Sequence, residues 1–254
     1  MDRFDLCRVL ARDAGKLAHR EFGTSSTKMK GRHDVVTEMD GRIERYIRAE
    51  IAKRFPHDLV LGEEEGGATG ERLWIIDPID GTANYARGLP HYCVSIGYVE
   101  AGVPTIGAIY DPSHDWLYAA ARGEGAWHDG ERMGVSPIDE MNAATVECGW
   151  STRRPASAYV ELIGRVLEAG GAIRRAGSGA LGLVDVAAGR VEAYTELHIN
   201  SWDCAAGIVL VREAGGFTND FFGGDGLRSG NPLLATNAAL CGKLAAVIGI
   251  PITR

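Results

Sequence analysis

The chain has 254 residues, of which 45% are hydrophobic and 24% are charged. A chain of this length can bury a large core, and the balance is that of a globular protein rather than a disordered or fibrous one. Its 27 Lys and Arg against 34 Asp and Glu give a net charge of −7, which argues against a general affinity for nucleic acid or for anionic membranes.

From the sequence we expect neither export nor membrane insertion. Its first residues are mixed apolar and charged, and apolar runs such as 92–99 are far shorter than a membrane span. The cysteines are widely spaced and the histidines scattered, so neither a disulfide framework nor a zinc site is indicated. We therefore expect a cytoplasmic protein with buried thiols, at Cys7, Cys93, Cys148, Cys204 and Cys241.

The first quarter of the chain predicts two helices. Apolar residues at helical spacing predict an amphipathic helix over Phe4–Phe22, and a polar loop is predicted from Gly23 to His33. A second helix is predicted over Thr37–Phe55. Thr37 and Asp40 have the spacing of a capping box at its start.

The rest of the chain predicts strands first and then a mixture of helices and strands. Buried strands are predicted at Leu59–Leu61 and Leu73–Ile76, each followed by acidic residues, and an antiparallel run follows at Cys93–Val99, Thr105–Tyr110 and Leu117–Ala121. Helices are predicted at Tyr159–Glu168, Leu181–Ala188, Ala205–Glu213 and Ala238–Ile248. We predict a layered α/β (α+β) fold with subdomains 1–152 and 153–254.

The segment Asp77-Pro78-Ile79-Asp80-Gly81-Thr82 carries the main chemical signal. Two carboxylates three residues apart, with the Ile79 carbonyl between them, can converge on a hard cation. Gly81 and Thr82 follow where a helix could begin, and free N–H groups at a helix start can hold a phosphate. The alternative is that Asp77 and Asp80 only cap a turn.

Two further acidic segments are ambiguous when each is considered alone. Glu63, Glu64 and Glu65 follow a predicted strand, and such crowding is unfavourable unless solvent or a cation relieves it. A solvated acidic loop would explain them equally well. Asp203 lies at the start of a predicted helix, where the helix dipole favours negative charge. Alone, it is therefore explained as an ordinary acidic residue of the first turn.

Together these segments resemble the inositol monophosphatase superfamily of magnesium-dependent, lithium-sensitive phosphatases, over nearly the whole chain. The resemblance rests on 62–64, 77–82 and 202–216, in order and in approximate spacing. It implies an αβαβα sandwich, a small phosphorylated metabolite as substrate, two or three Mg²⁺ ions and a homodimer. Lys30 aligns only loosely with the family's mobile, metal-associated loop and is a secondary candidate for the site.

The resemblance also implies a role for each matching residue. Cations would be held by Glu63, Asp77, the Ile79 carbonyl, Asp80 and Asp203. Gly81 and Thr82 would bind the phosphate, while Thr82, Asp40 and Glu63 would position the attacking water. The alcohol part of the substrate would contact Asp80, Gly177, Ser178, Gly179 and Glu196. For Asp40 a capping role has equal weight, and a strand-to-helix turn would explain 177–179 without a ligand.

Several functions remain open at this point. Inositol 1-phosphate is the leading substrate, and histidinol phosphate is its nearest competitor, because Glu196 could accept hydrogen bonds from a hydroxyl or pair with an amine. Fructose 1,6-bisphosphate and nucleotide 3′-phosphates rank behind both. From a different class, the chain could be a regulatory protein that binds the transcription or RNA-processing machinery.

Overall fold

The computed structural model describes residues 1–23, 27–31 and 34–252 of the chain. The helices are α1 Arg3–His19, α2 Glu38–Arg54, α3 Thr82–Tyr85, α4 Ala156–Glu168, α5 Gly179–Ala187, α6 Ser201–Glu213, α7 Gly226–Ser229 and α8 Cys241–Ile248, with a 3-10 turn at Met141–Ala143. The strands are β1 Thr27–Gly31, β2 Asp34–Thr37, β3 Leu59–Gly62, β4 Arg72–Asp80, β5 Cys93–Glu100, β6 Val103–Asp111, β7 Trp116–Ala121, β8 Gly125–His128, β9 Glu131–Arg132, β10 Thr145–Cys148, β11 Ala172–Arg174, β12 Ala193–Ile199, β13 Phe217–Thr218 and β14 Asn231–Thr236.

Two of the three sheets alternate with three helical layers, so the predicted αβαβα arrangement is confirmed; the third sheet is the pair β1–β2. The first sheet has the order β3-β4-β5-β6-β7-β8-β9 and is antiparallel except for the β3–β4 pair. The second has the order β11-β10-β12-β14-β13, in which β10 is parallel to both of its neighbours. The chain passes from one sheet to the other between β9 and β10; the predicted subdomain boundary after residue 152 stays a prediction.

The outer helices cover the sheets with apolar faces, as their sequence spacing requires. α1 and α2 pack on the first sheet through buried residues such as Leu10, Ile43 and Ile47, which belong to one apolar cluster with Trp74. On the far side, α4 and α8 cover the second sheet through a separate cluster that includes Leu162 and Leu244.

The central layer consists of α5 and α6, which are apolar on almost every side because both sheets enclose them. α6 lies unusually close to the first sheet. A side chain at Gly107 of β6 would place its Cβ 2.4 Å from the carbonyl oxygen of Ala206, so glycine is required at that contact.

Local predictions differ from the structure at several element boundaries and in one predicted loop. The segment predicted as a loop from Gly23 to His33 includes β1, which pairs antiparallel with β2; this pairing is not visible in local hydrophobic alternation. α6 begins at Ser201 rather than Ala205, because Asn200 and Asp203 form a capping box. β4 extends to Asp80 rather than ending at Ile76.

The cysteines and the lengths of the helices bear on two expectations from composition. All five cysteines are buried thiols, as predicted. Among the helices of the described ranges, none combines the length and the apolar character that a membrane span would need.

Candidate metal and phosphate site

A bulge in β4 brings Asp77 and Asp80 to the same side of the strand. Asp77 lies opposite Ser95 of β5, whereas Asp80 lies opposite Cys93, so β4 contains one extra residue between them. In a regular strand, residues three apart point to opposite faces, and the extra residue removes this alternation. The Asp77 carboxylate accepts a hydrogen bond from the Ile79 N–H at 3.0 Å, which stabilises the bulge.

The third carboxylate comes from the start of α6. Asp203 accepts a hydrogen bond from the Asn200 N–H at 3.0 Å, which fixes it in the first helical turn. Carboxylate oxygens of Asp77, Asp80 and Asp203 all lie within 4.8 Å of one another. Residues from two distant segments therefore form one acidic centre, where they offer the hard oxygen ligands that Mg²⁺ and Ca²⁺ prefer.

Burial and mutual repulsion raise the pKa values at this centre. Burial and then the charges of Glu63, Asp80 and Asp203 hold the pKa of Asp77 well above its ordinary value. For Asp203, burial followed by the charge of Asp80 raises the pKa to about 7. Carboxylates so crowded cannot all ionise without a compensating positive charge, and the donor set therefore fits a divalent cation.

Glu63 lies at the edge of this centre, where β3 ends beside β4. Its N–H donates to the Ile76 carbonyl oxygen at 3.2 Å, and its half-buried side chain lines the same cavity as the three aspartates. The fold therefore brings Glu63 to the cavity that Asp77, Asp80 and Asp203 line, while its role as a cation ligand stays a prediction.

Asp40 contacts Thr37, as a capping residue does, and also lies beside Thr82, as the proposed role in the site needs. It forms the predicted capping box, since its carboxylate accepts the Thr37 N–H at 2.9 Å and the Thr37 hydroxyl at 2.6 Å. It also lies 3.3 Å from the Thr82 hydroxyl oxygen, and burial raises its pKa to about 6. The Thr82 hydroxyl has a closer acceptor in the Ile79 carbonyl oxygen, at 2.8 Å.

Gly81 turns the chain from β4 into the short helix α3. Its φ of +89° is in the left-handed region that favours glycine, and a Cβ there would approach the His91 carbonyl oxygen to 3.0 Å. The N–H groups of the first helical turn have no intrahelical acceptor, and Gly81, Thr82 and Ala83 line the same cavity as the acidic centre.

The segment 177–179 contacts Asp80 directly. The Ser178 hydroxyl donates a hydrogen bond to the Asp80 carboxylate, which also accepts the Ala180 N–H at 2.8 Å and the Gly179 N–H at 3.3 Å. Ser178 is also the N-cap of α5. The turn therefore has a structural role, since it orients Asp80 and caps α5. The substrate contacts of Gly177, Ser178 and Gly179 stay a prediction.

Glu196 lies across the same cavity, which measures about 260 Å³. Its carboxylate accepts the Tyr194 hydroxyl at 2.7 Å, and burial raises its pKa to about 8. A Cβ at Gly149 would lie 2.1 Å from the Glu196 carboxylate, so the absence of a side chain there leaves room for Glu196.

Several cavity residues were not among the predicted site residues: Glu147, Gly149, Trp150, Arg175 and Tyr194. Tyr194 could have been found, because it precedes Glu196 by two residues on the same strand and so shares its face. No local pattern marks Trp150 or Arg175. The side chain of Lys30, the secondary candidate, lies outside the described part of the chain.

Comparison with known proteins agrees with this geometry. The sequence profile of the inositol monophosphatase family matches residues 5–249. A fructose-1,6-bisphosphatase/inositol-1-monophosphatase of Thermotoga maritima is 41% identical over 229 residues, covering 88% of this chain and 86% of the relative. A protein named Nus factor SuhB, from Xylella fastidiosa, is 42% identical over 225 residues, covering 86% of this chain and 82% of the relative.

The fold of a solved relative is also the same. A Thermotoga maritima IMPase superimposes with a TM-score of 0.88 at 35% sequence identity, covering 98% of this chain and 97% of that one. With its acidic centre and layered fold, the chain belongs to the inositol monophosphatase family.

Proposed function

We propose that the protein is a Mg²⁺-dependent phosphatase that hydrolyses the phosphate monoester of a small metabolite, with inositol 1-phosphate as its main substrate. The convergence of Asp77, Asp80 and Asp203 in one cavity, with oxygens within 4.8 Å of one another, is the observation that carries this proposal. Such a centre has little structural purpose without a cation, because buried like charges destabilise the fold.

In this proposal each cation ligand comes from a residue that lines the cavity. Asp77, Asp80, Asp203, Glu63 and the Ile79 carbonyl would hold two or three Mg²⁺ ions. Bound Mg²⁺ would supply positive charge for the phosphate and for the leaving oxygen, and would lower the pKa of water.

The remaining residues would bind the ester and orient the water. The N–H groups of Gly81 and Thr82, at the start of α3, would bind phosphate oxygens. The Thr82 hydroxyl, 3.3 Å from the Asp40 carboxylate, would orient the attacking water with the help of Glu63. Neither a serine nor a cysteine nucleophile is needed, which suits the burial of every cysteine.

The far side of the cavity favours a polyol over an amino alcohol as the leaving group. Glu196 already accepts one hydrogen bond from Tyr194, so its second oxygen can accept one from a substrate hydroxyl. Arg175 lines the same cavity and would repel a cationic amine. We therefore place inositol 1-phosphate ahead of histidinol phosphate.

Parallel phosphate-release assays on inositol 1-phosphate and histidinol phosphate, each with Mg²⁺ and with EDTA, test this proposal. We expect Mg²⁺-dependent turnover with a higher kcat/KM for inositol 1-phosphate. A higher kcat/KM for histidinol phosphate would make that compound, rather than inositol 1-phosphate, the main substrate. Turnover of neither compound would reject both.

A second candidate function comes from the Nus factor name of one relative. We infer that a regulatory protein that binds the transcription machinery would do so through its outer surface rather than through the acidic centre. A pull-down from bacterial lysate with the wild-type chain and with Asp80→Asn distinguishes the roles. Capture of RNA polymerase components by both proteins would support this second function, and capture by neither would reject it.

Two further parts of the proposal are the homodimer, which rests on the resemblance, and the cytoplasmic location, which rests on composition and on the scattered cysteines. Sedimentation of the purified chain at micromolar concentration tests the first of them, with a dimer expected.

A further inference from the structure

Glu44 of α2 is a fully buried carboxylate that contacts the loop at the end of β3, residues 62–66. One of its oxygens accepts the Glu64 N–H at 2.8 Å, and the other accepts the Glu65 N–H at 3.1 Å. Successive N–H groups that point at one anion form a defined backbone concavity. Glu44 therefore fixes the backbone immediately after Glu63.

Arg48, one helical turn further along α2, completes this contact. Its Nε donates to the Glu44 carboxylate at 2.8 Å, so the buried charge is paired. Its guanidinium also donates to the Val60 carbonyl oxygen at 3.2 Å and to the Gly66 carbonyl oxygen. The two side chains thus hold the loop on both sides of Glu63.

Gly62 explains how Glu44 can approach so closely. A Cβ at this position would lie 2.2 Å from a Glu44 carboxylate oxygen, so any other residue would displace the carboxylate. Gly62 belongs to the motif that supports the family resemblance, yet it has no role in the chemistry proposed above. The close approach of Glu44 explains why glycine is needed at position 62.

The loop is also tied to the strand that carries the acidic centre. The Glu63 N–H donates to the Ile76 carbonyl oxygen at 3.2 Å, and Ile76 is followed directly by Asp77. Movement of the loop would therefore change where the Glu63 side chain lies relative to Asp77.

We propose that Glu44 and Arg48 are positioning residues that hold the 62–66 loop so that Glu63 faces the cation site before a cation binds. This inference rests on the proposed function, in which Glu63 is a cation ligand. Partners outside the ligand shell act in this way in metal sites, by reducing the reorganisation that binding requires.

The test measures Mg²⁺ affinity by calorimetry without substrate, together with amide hydrogen exchange of the 62–66 loop. Glu44→Gln keeps the size of the side chain but replaces one acceptor oxygen by a donor that faces an N–H group. We expect faster exchange at Glu64 and Glu65, and a Mg²⁺ Kd raised about 10-fold or more. Glu50→Gln is the matched control on the same helix, and it should change neither quantity.

A second variant keeps the test decisive if Glu44→Gln does not fold. Arg48→Lys retains the positive charge beside Glu44 but lacks the planar fork that reaches the two carbonyl oxygens. We expect a smaller rise in Kd with the same faster exchange. A folded Glu44→Gln or Arg48→Lys protein with the wild-type Mg²⁺ affinity would overturn the inference.

Glu63→Gln separates this inference from the proposed function. If Glu63→Gln weakens Mg²⁺ binding and the folded Glu44 variant does not, only the positioning role is wrong. If Glu63→Gln itself binds Mg²⁺ like the wild type, Glu63 is not a ligand, and the assignment on which the positioning role depends is rejected.

Discussion

The Ser178 hydroxyl donates a hydrogen bond to the Asp80 carboxylate, and this contact joins the start of α5 to the bulged end of β4. Because the Ala180 N–H donates to the same carboxylate at 2.8 Å, the central helical layer determines where Asp80 points. These donors favour the ionised form, whereas burial raises the pKa of Asp80 above its ordinary value. Asp80 is therefore oriented by the fold even without a bound cation.

Ser178→Ala should reduce both stability and cation affinity. The variant loses the N-cap of α5, which costs about 1 kcal/mol of unfolding free energy, and it removes one of the donors that orient Asp80. We expect a lower midpoint in urea and a higher Mg²⁺ concentration for half-maximal activity. Ser157→Ala, at an exposed position in the first turn of α4, is the control; equal effects at both positions would contradict the role of Ser178.

Asp203→Asn should abolish phosphate release without unfolding the protein. Since loss of an outer partner of a metal site already costs about 10–100-fold, loss of a direct ligand should cost at least about 100-fold in kcat/KM. The amide also removes one of the crowded charges, so we expect the melting temperature in EDTA to be unchanged or higher. Phosphate-release kinetics and circular dichroism measure these two effects.

The control for this variant is Asp13→Asn, at an exposed position of α1, which should behave like the wild type. Normal turnover by the Asp203 variant would remove Asp203 from the proposed ligand set.

The cation-free protein should lose stability as the pH rises from about 4 to about 7. The pKa of Asp203 is about 7 in the folded chain, above the ordinary value for aspartate, so the folded state binds more protons than the unfolded state in this interval. The unfolding free energy must then fall with increasing pH, by linkage. Thermal unfolding in EDTA across this interval measures the slope.

Saturating Mg²⁺ should flatten or reverse this slope, because a cation bound to the ionised form stabilises the folded state. The same slope with and without Mg²⁺ would show that the aspartates do not bind it.

Local features of the site could be predicted from the sequence, whereas contacts between distant segments could not. The spacing of Thr37 and Asp40 is sufficient to predict their capping box, because both partners lie in one helical turn. The bulge between Asp77 and Asp80 depends on pairing with β5, and the sequence predicts only that acidic residues follow a strand. Resemblance to a family, rather than periodicity, supplied the prediction that Asp203 joins them.

The contacts of Glu44 show the same limit more clearly. On α2 it has the pattern of an ordinary charged helical residue four positions before an arginine, which usually indicates an exposed pair. Only the packing of α2 against the loop at the end of β3 makes it buried. A local pattern cannot distinguish these environments, because burial is decided by residues far away in the chain.

Gly149→Ala should impair substrate binding but not cation binding. The added Cβ would lie 2.1 Å from the Glu196 carboxylate and 2.5 Å from the Tyr194 hydroxyl, so Glu196 must move away from the cavity wall. Because Glu196 is proposed to contact the alcohol part of the substrate, we expect KM for inositol 1-phosphate to rise about 10-fold, in the range found when one pocket contact is lost. The Mg²⁺ Kd should stay within about twofold of the wild type, since the aspartate cluster is not displaced.

Gly164→Ala on α4 is the matched control, because its Cβ meets no atom within 4 Å. An unchanged KM in a folded Gly149→Ala protein would mean that Glu196 does not contact the substrate, and an equal loss of Mg²⁺ affinity would mean that the two halves of the cavity are not independent.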